Sequence, residues 1–492
     1  MGGCRDRSPR RYLGRGGEKG GLKEALAAEV VAAIDALVGA PVEQWDFEAI
    51  EVAARREALR IAGLAVARRL NAAHSDHAGS TRPCRCGEEA RYAGRRAKTF
   101  TSALGDLVLE RAYFHCSRCD AGFCPRDRAL GLEGGSFSPH ALRMIGIVGA
   151  RVSFEEGHGL LRDLAGVEVP TKQVEREAER LGRAIAEDER HAIEPETDRE
   201  IPPTLYLGMD GTGIPMHQRA LEGRAGKQQD GSSKTREVKL VTIWSAEERD
   251  KEGVPVRDDG SVTYSAAIES AASRDTDEEP SEFAQRVVRE AARRRFDMAP
   301  RRVVLGDGAE WIWNIAGEQF PDAVQIVGRY HANEHLSAAA KAIWGPESDL
   351  AKEWAHQRCT ELKAGKIDAV LAALAVHSCC EGVPDCSEYI RKNRDRMRYG
   401  EFHAAGLCTS TAVVESGCKR AIGLRLKEGG MFWSVAGANA ISRPRRRHAS
   451  ESAGVASSFP TLPSGGWRHD VLIPLPLPLP LPLPLPSPSP RD

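Results

Sequence analysis

Three acidic residues, far apart along the chain, have the surroundings that divalent-cation chemistry needs. Asp210 follows the apolar run Thr204-Leu-Tyr-Leu-Gly-Met and precedes Gly-Thr-Gly; Asp307 follows Arg301-Arg-Val-Val-Leu-Gly and precedes Gly308. Each run reads as a buried strand ending in a carboxylate, with glycines that leave room for a cation and a phosphate to approach the backbone. Glu415 lies in Val413-Val-Glu-Ser-Gly-Cys418, beside the apolar face (Val414, Cys418, Ala421, Leu426) of an amphipathic helix expected over 410–427. Carboxylates converging from two strands and a helix can hold two Mg2+ (or Mn2+) ions ~3.5–4 Å apart, an arrangement suited to displacement at phosphorus. Taken singly, each is ordinary. A strand ending in Asp-Gly is usually a turn, and Glu415 can simply pair with Lys419 one helical turn on.

A second constellation is built from soft ligands. Cys84-x-Cys86 and Cys116-x-x-Cys119 are separated by 29 residues that include the strand-like run Leu107–Phe114. Four thiolates on two turns at the ends of a hairpin can close a tetrahedral zinc site with no open position, which makes such a zinc structural. Cys124 and, more weakly, His115 are alternative ligands, and four buried cysteines in a small core is the plainer reading. Arg82, Arg85, Arg91, Arg95, Arg96 and Lys98 add positive charge there, which suits either a phosphate backbone or an ordinary solvated face.

Two further patterns bear on function. Ser153–Leu164 reads as a helix, Gly166–Pro170 as a turn, and Thr171 as the N-cap of a second helix with Val174, Ala178, Leu181 and Ile185 on one side. Lys172, Gln173, Arg176 and Arg180 fall on its other side, as in a DNA-reading helix-turn-helix, although a plain helical hairpin has the same pattern. His331-Ala-Asn-Glu334-His335 matches the H-x-x-E-H pattern of inverted zinc peptidases, but no third protein ligand is evident.

The elements that must position these residues can be read coarsely. At 492 residues the chain has room for about two to four domains. Lys and Arg number 69 against 70 Asp and Glu, so any charge that grips DNA must be local. The 12 cysteines are not laid out as a secreted disulfide framework. Met1–Gly21 lacks the apolar segment of a signal peptide, and no run of ~18 apolar residues predicts a membrane span. A cytoplasmic protein without a membrane partner is expected.

Residues 1–20 are expected to be disordered, 21–79 to form a helical hairpin broken at Gly39-Ala-Pro41, and 80–130 a zinc-ribbon-like module; the helix-turn-helix-like region spans 138–195. Short strands alternate with polar loops over 205–268, and 281–344 reads helix, strand, helix, strand, helix. From 442 onward the composition turns to Arg-rich, Ser-rich and then alternating Leu-Pro sequence, a low-complexity tail.

Taken together the motifs resemble the DDE transposases of Kra-type (ISKra) bacterial insertion sequences, over about residues 80–441. The resemblance rests on Gly208-Met-Asp-Gly-Thr-Gly-Ile-Pro-Met216, Leu221–Lys227, Lys234–Leu240, Gly306–Trp313, Arg329-Tyr-His-Ala-Asn-Glu-His-Leu336 and Val413–Lys419, with the cysteine pairs upstream. It implies a multidomain α+β chain whose residues 201–441 form an RNase H-like α/β catalytic core with a helical insertion at about 345–405. It implies metal-dependent cleavage and strand transfer of double-stranded insertion-sequence ends, by a homo-oligomer acting at the bacterial nucleoid. Asp210, Asp307 and Glu415 would be the acidic triad, with His331 also catalytic. Where relatives carry Asp-x-x-His, this chain has Gly328-Arg-Tyr-His331, and its sequence departs from the family's C-terminal helix after Ile441. Those two departures leave open a transposase-derived protein that binds DNA without cutting it.

Overall fold

The computed structural model describes residues 18–39, 46–77, 79–191, 195, 196, 200–223, 228, 233–271 and 280–442. The expectations for residues 1–17 and for the tail from 443 lie outside the described residues, whereas 18–20, expected to be disordered, already belong to the first helix.

Helices α1 (Glu18–Val38) and α2 (Phe47–Ala72) form the N-terminal pair, joined by ion pairs of Glu29 with Arg60 and Arg68. Next comes a four-stranded antiparallel sheet: β1 (Thr81–Pro83), β2 (Glu89–Ser102), β3 (Gly105–His115) and β4 (Gly122–Phe123). After the short α3 (Pro125–Ala129), α4 (Pro139–Arg151) is capped by the Ser138 hydroxyl and α5 (Phe154–Leu160) by Ser153. A π-helical turn over Leu161–Ala165 extends α5 and ends at Gly166, whose φ of 67° is the left-handed stop of a helix.

The next helix, α6, covers Thr171–His191. Thr171 is not its N-cap. The helix begins on Thr171 itself, the Pro170 carbonyl accepts from the amides of Gln173 and Val174, and the Thr171 hydroxyl donates to Glu155 Oε2 at 2.5 Å. A proline lacks the N–H that an N-terminal turn leaves unused anyway, which is why the entry tolerates it.

A second, mixed sheet forms the centre of the largest core. Its strands are β5 (Thr204–Pro215), β6 (Thr235–Trp244), β9 (Thr263–Ala267), β10 (Arg301–Gly306) and β11 (Val324–Val327), with β7 (Glu248–Arg249) and β8 (Pro255–Val256) as a separate small hairpin. The spatial order is β11-β10-β5-β6-β9. The first three strands in sequence form an antiparallel meander, and β10 and β11 add parallel to β5. Strand β5 is buried on both faces from Thr204 to Met209, so its apolar run is continuous rather than alternating.

Helices cover both faces. On one side lie α7 (Glu282–Arg293) and α8 (Glu310–Gln319), where Lys239 sits over the Trp311 ring and Arg286 donates to Ser265 Oγ. From β11 the chain enters α9 (Arg329–Trp344), and then α10 (Asp349–Lys363), α11 (Ile367–Ala375), α12 (Val383–Lys392) and α13 (Tyr399–Ala404). It returns across the other face through α14 (Ala412–Gly417), a π-helical turn over Cys418–Gly423, and α15 (Leu424–Leu426). The final helix, α16 (Val435–Ser442), lies against α6 and β9, and Asn439 exchanges hydrogen bonds with the backbone of Ile268. No helix among the described residues is long and apolar enough to cross a membrane.

Candidate functional site

Strand register brings two of the acids together. Leu305 pairs with Gly208 across the parallel β10–β5 ladder; two residues further on stand Asp210, within β5, and Asp307, just past the end of β10. Asp210 is not at the end of its strand, as the short apolar run suggests, but in the middle of β5, which continues to Pro215 opposite β6. Burial pushes the Asp210 carboxyl above the ordinary aspartate range and the Asp307 charge adds to this, outweighing the Cys418 thiol and the Gly211 amide, which donate to it at 3.3 and 2.6 Å. Asp307 Oδ1 accepts the Ala309 amide at 2.9 Å.

Protein side chains lie against the glycines beside these acids. A side chain on Gly211 would overlap Glu237, and one on Gly308, where φ is 105°, would come within 2.5 Å of the Tyr389 ring. Tyr389, on α12, donates its hydroxyl to the Asp307 carbonyl at 2.6 Å and stacks on His335 with ring centroids 3.8 Å apart.

Helix α14 carries Glu415 onto the same face of the sheet. Val414 packs where Gly208 has no side chain, two residues before Asp210, and this close approach seats the helix over β5. Glu415 does not pair with Lys419. Its Oε1 accepts the Thr411 hydroxyl at 2.7 Å and lies 3.6 Å from His331 Nε2. Three residues on, Cys418 reaches Asp210, and burial together with the Asp210 carboxylate pushes that thiol upward.

The donor set is the kind that holds hard cations: three carboxylates, with Asp307 Oδ2 and Glu415 Oε2 free of hydrogen bonds among the described residues. Their oxygens nonetheless do not all come within 4.8 Å of one another, the spacing expected around one ion. Sharing between two ions does not require that spacing, because each carboxylate then serves one ion or bridges both.

The four cysteines do close. Cys84, Cys86, Cys116 and Cys119, on the turns that link β1 to β2 and β3 to β4, have sulfurs mutually within 4.8 Å. The Cys84–Cys119 and Cys86–Cys116 separations are 3.5 and 3.7 Å. Bonds of ~2.3 Å from a tetrahedral zinc put sulfurs ~3.8 Å apart, so the cluster can hold a metal such as zinc. Backbone amides of Cys119 and Arg118 donate to the Cys116 sulfur and bring its thiol down to about 7, which favours the thiolate that a metal needs. Cys124 is outside the group, and His115 is bonded to Asp120 instead. Of the nearby cations, Arg95 is tied to Asp76, Arg96 lies over the Tyr113 ring and Lys98 donates to the Gly135 carbonyl, whereas Arg85 and Arg91 are exposed.

On α6, Val174 and Ala178 are buried and Lys172 and Arg176 are exposed, so the two faces separate as the pattern indicates. Lys172 is paired with Glu175, Gln173 is half-buried, and Arg180 is half-buried and held by the buried Glu177 at 2.7 Å. Arg180 is therefore the least available of the four. His331 and His335 share α9, but no group of three metal-ligating side chains includes them among the described residues.

Sequence reasoning missed Tyr389, Thr411 and the role of Cys418. Tyr389 and Thr411 belong to no motif singled out in the sequence, and the contact of Cys418 with Asp210 exists only because the fold brings α14 and the turn after it onto β5. A comparison with protein-family models gave no match, and one with curated proteins gave none either.

Proposed function

We propose that this chain is a transposase of the DDE type, resembling those of Kra-type insertion sequences, which cuts and joins DNA with Asp210, Asp307, Glu415 and His331 as its working residues. The observation that carries the reading is that Asp210 and Asp307 each stand two residues beyond the paired Gly208 and Leu305 of parallel neighbours, Asp307 just past the end of β10, with Glu415 3.6 Å from His331 on the helices beside them. The strand order β11-β10-β5-β6-β9, a meander joined by two parallel strands, supports an RNase H-like core, with α10 to α13 as the helical insertion.

Asp210, Asp307 and Glu415 would hold two Mg2+ or Mn2+ ions. Such ions supply charge stabilisation for the attacking and leaving oxygens of an in-line displacement at phosphorus. The chain's own contribution is orientation. The Gly211 and Ala309 amides fix one oxygen of each aspartate, Thr411 fixes one oxygen of Glu415, and His331 faces that same oxygen. The cysteine cluster serves as a structural zinc ribbon, and the exposed Lys172 and Arg176 of α6 contact DNA phosphates or base edges, with Gln173 beside them. The functional partner is double-stranded DNA, bound by a homo-oligomer.

The test is nicking of supercoiled plasmid DNA and of labelled element-end DNA by purified protein with Mg2+ or Mn2+. Metal-dependent nicking that Asp210→Ala abolishes supports the reading. Tight DNA binding with no nicking by the unaltered chain favours the non-catalytic alternative, to which Gly328, in place of the family's aspartate, lends weight.

A further inference from the structure

We infer that Thr411 is a positioning residue for Glu415, and that residue 328 is glycine in order to admit it; the inference rests on the transposase reading above. Thr411 occupies the cap position of α14, where a threonine hydroxyl ordinarily accepts a backbone amide of the first turn. Here it makes no such bond. The hydroxyl donates to Glu415 Oε1 at 2.7 Å, and the Thr411 carbonyl accepts the Glu415 amide at 2.9 Å. The acid is thus tied to one buried residue through both its side chain and its backbone.

The space that Thr411 fills is the space a side chain at 328 would need. A Cβ on Gly328 would overlap Thr411 Cγ2 and lie 2.7 Å from its Oγ1. Gly328 has φ −57° and ψ 125°, a backbone open to any L-residue, so its own conformation does not demand glycine. The neighbour does. The same residue knits the site together, because its amide donates to the carbonyl of Gly306, which precedes Asp307, and the next amide, of Arg329, donates to Thr409. His331, in the first turn of the helix that Gly328 caps, is the other group on Glu415 Oε1.

One oxygen of Glu415 is therefore held by Thr411, with His331 Nε2 3.6 Å away, while Oε2 makes no hydrogen bond among the described residues. This is the arrangement by which an outer hydrogen-bonding partner aims a carboxylate at a cation. The aspartate expected at 328 from the family resemblance has no room here, and Thr411 stands in its place as a polar group beside the acid.

The experiment is Mn2+ binding to the zinc-loaded full-length chain, followed by electron paramagnetic resonance, with Mn2+-dependent nicking of supercoiled plasmid as a second readout. Thr411→Val keeps the shape and removes the donor; Thr411→Ser keeps the donor and removes the methyl. Thr411→Val and Gly328→Ala are expected to weaken Mn2+ binding about 10- to 100-fold, with Thr411→Ser within about threefold of the unaltered chain. Near-ultraviolet circular dichroism identifies any variant that fails to fold, and Thr411→Ala then replaces Thr411→Val as the variant without a donor. Thr411→Ser binding as weakly as Thr411→Val overturns the inference, since packing and not the hydroxyl would then matter. Binding that depends on Asp210 but is indifferent to Thr411→Val overturns the inference and leaves the transposase reading standing. Binding indifferent to Asp210→Asn overturns both.

Discussion

The sulfur of Cys418 lies 3.3 Å from Oδ2 of Asp210, although the two residues are 208 positions apart in the chain. That contact joins the helical run bearing Glu415 to the central strand of the sheet. Glu415 sits three residues before Cys418, so the helical run that brings the sulfur to Asp210 also carries the third acid.

Tyr389 makes the helical segment between β11 and α14 part of the site. Its hydroxyl bonds the Asp307 carbonyl while its ring is stacked on His335. Tyr389→Phe keeps the stack and removes one hydrogen bond, an expected stability loss of about 1 kcal/mol. Metal-dependent nicking is expected to fall about tenfold, because a small misplacement of a catalytic group is costly. Comparing nicking rate with thermal midpoint checks this: a loss of activity no larger than the loss of folded protein would contradict it.

The cysteine cluster predicts one zinc per chain by elemental analysis. Cys116→Ala should lose that zinc and loosen β1 to β4, because a structural zinc contributes its binding energy directly to folding. His335→Ala should keep the metal in full. A second zinc that disappears with His335→Ala would instead revive the peptidase pattern.

Asp76 ties the end of the helical pair to the small sheet. It accepts the Ala112 amide at 2.8 Å and Arg95 at 3.1 Å, with Arg126 3.6 Å away. Burial pushes its carboxyl up, but the Ala112 amide and the two guanidinium groups outweigh this and hold it below 3.8. A folded-state value below the unfolded one means stabilisation that is present above about pH 4 and lost as pH falls through the folded value. Asp76→Ala should cost about 1–3 kcal/mol at pH 7, since the Ala112 amide loses its buried acceptor while Arg95 and Arg126 keep backbone-carbonyl partners. The cost should shrink below pH 4. Denaturant midpoints at pH 7 and pH 3 for both proteins measure it, and an equal cost at the two values would contradict the assignment.

The parts of the molecule that were legible in the sequence are those where local pattern and tertiary burial agree. The doubly buried runs before Asp210 and Asp307 read as strands because both faces are covered, and Val414, Cys418, Ala421 and Leu426 mark the buried side of a helix. The cysteine pairs read as one cluster because two short turns are enough to gather them. What was hidden depended on contacts between distant segments. The length of β5 beyond Asp210 is set by its pairing with β6, and Thr204–Pro215 carries three glycines that look like a turn in isolation. Thr171 looked like a cap because the sequence does not show that Glu155 takes its hydroxyl. Nor does the sequence show that Glu237 and Tyr389 lie against the glycines beside the acids.

The proposed chemistry requires Asp210, Asp307 and Glu415 to share one pocket for divalent cations. Fe2+ substituted at that pocket, with ascorbate and peroxide, cuts the backbone near its ligands, and mass spectrometry maps the cuts. Cleavage is expected to cluster beside residues 210, 307 and 415 and to be suppressed by excess Mg2+ and by Asp307→Asn. Cuts at one of the three positions alone, or a pattern indifferent to Mg2+, would contradict it.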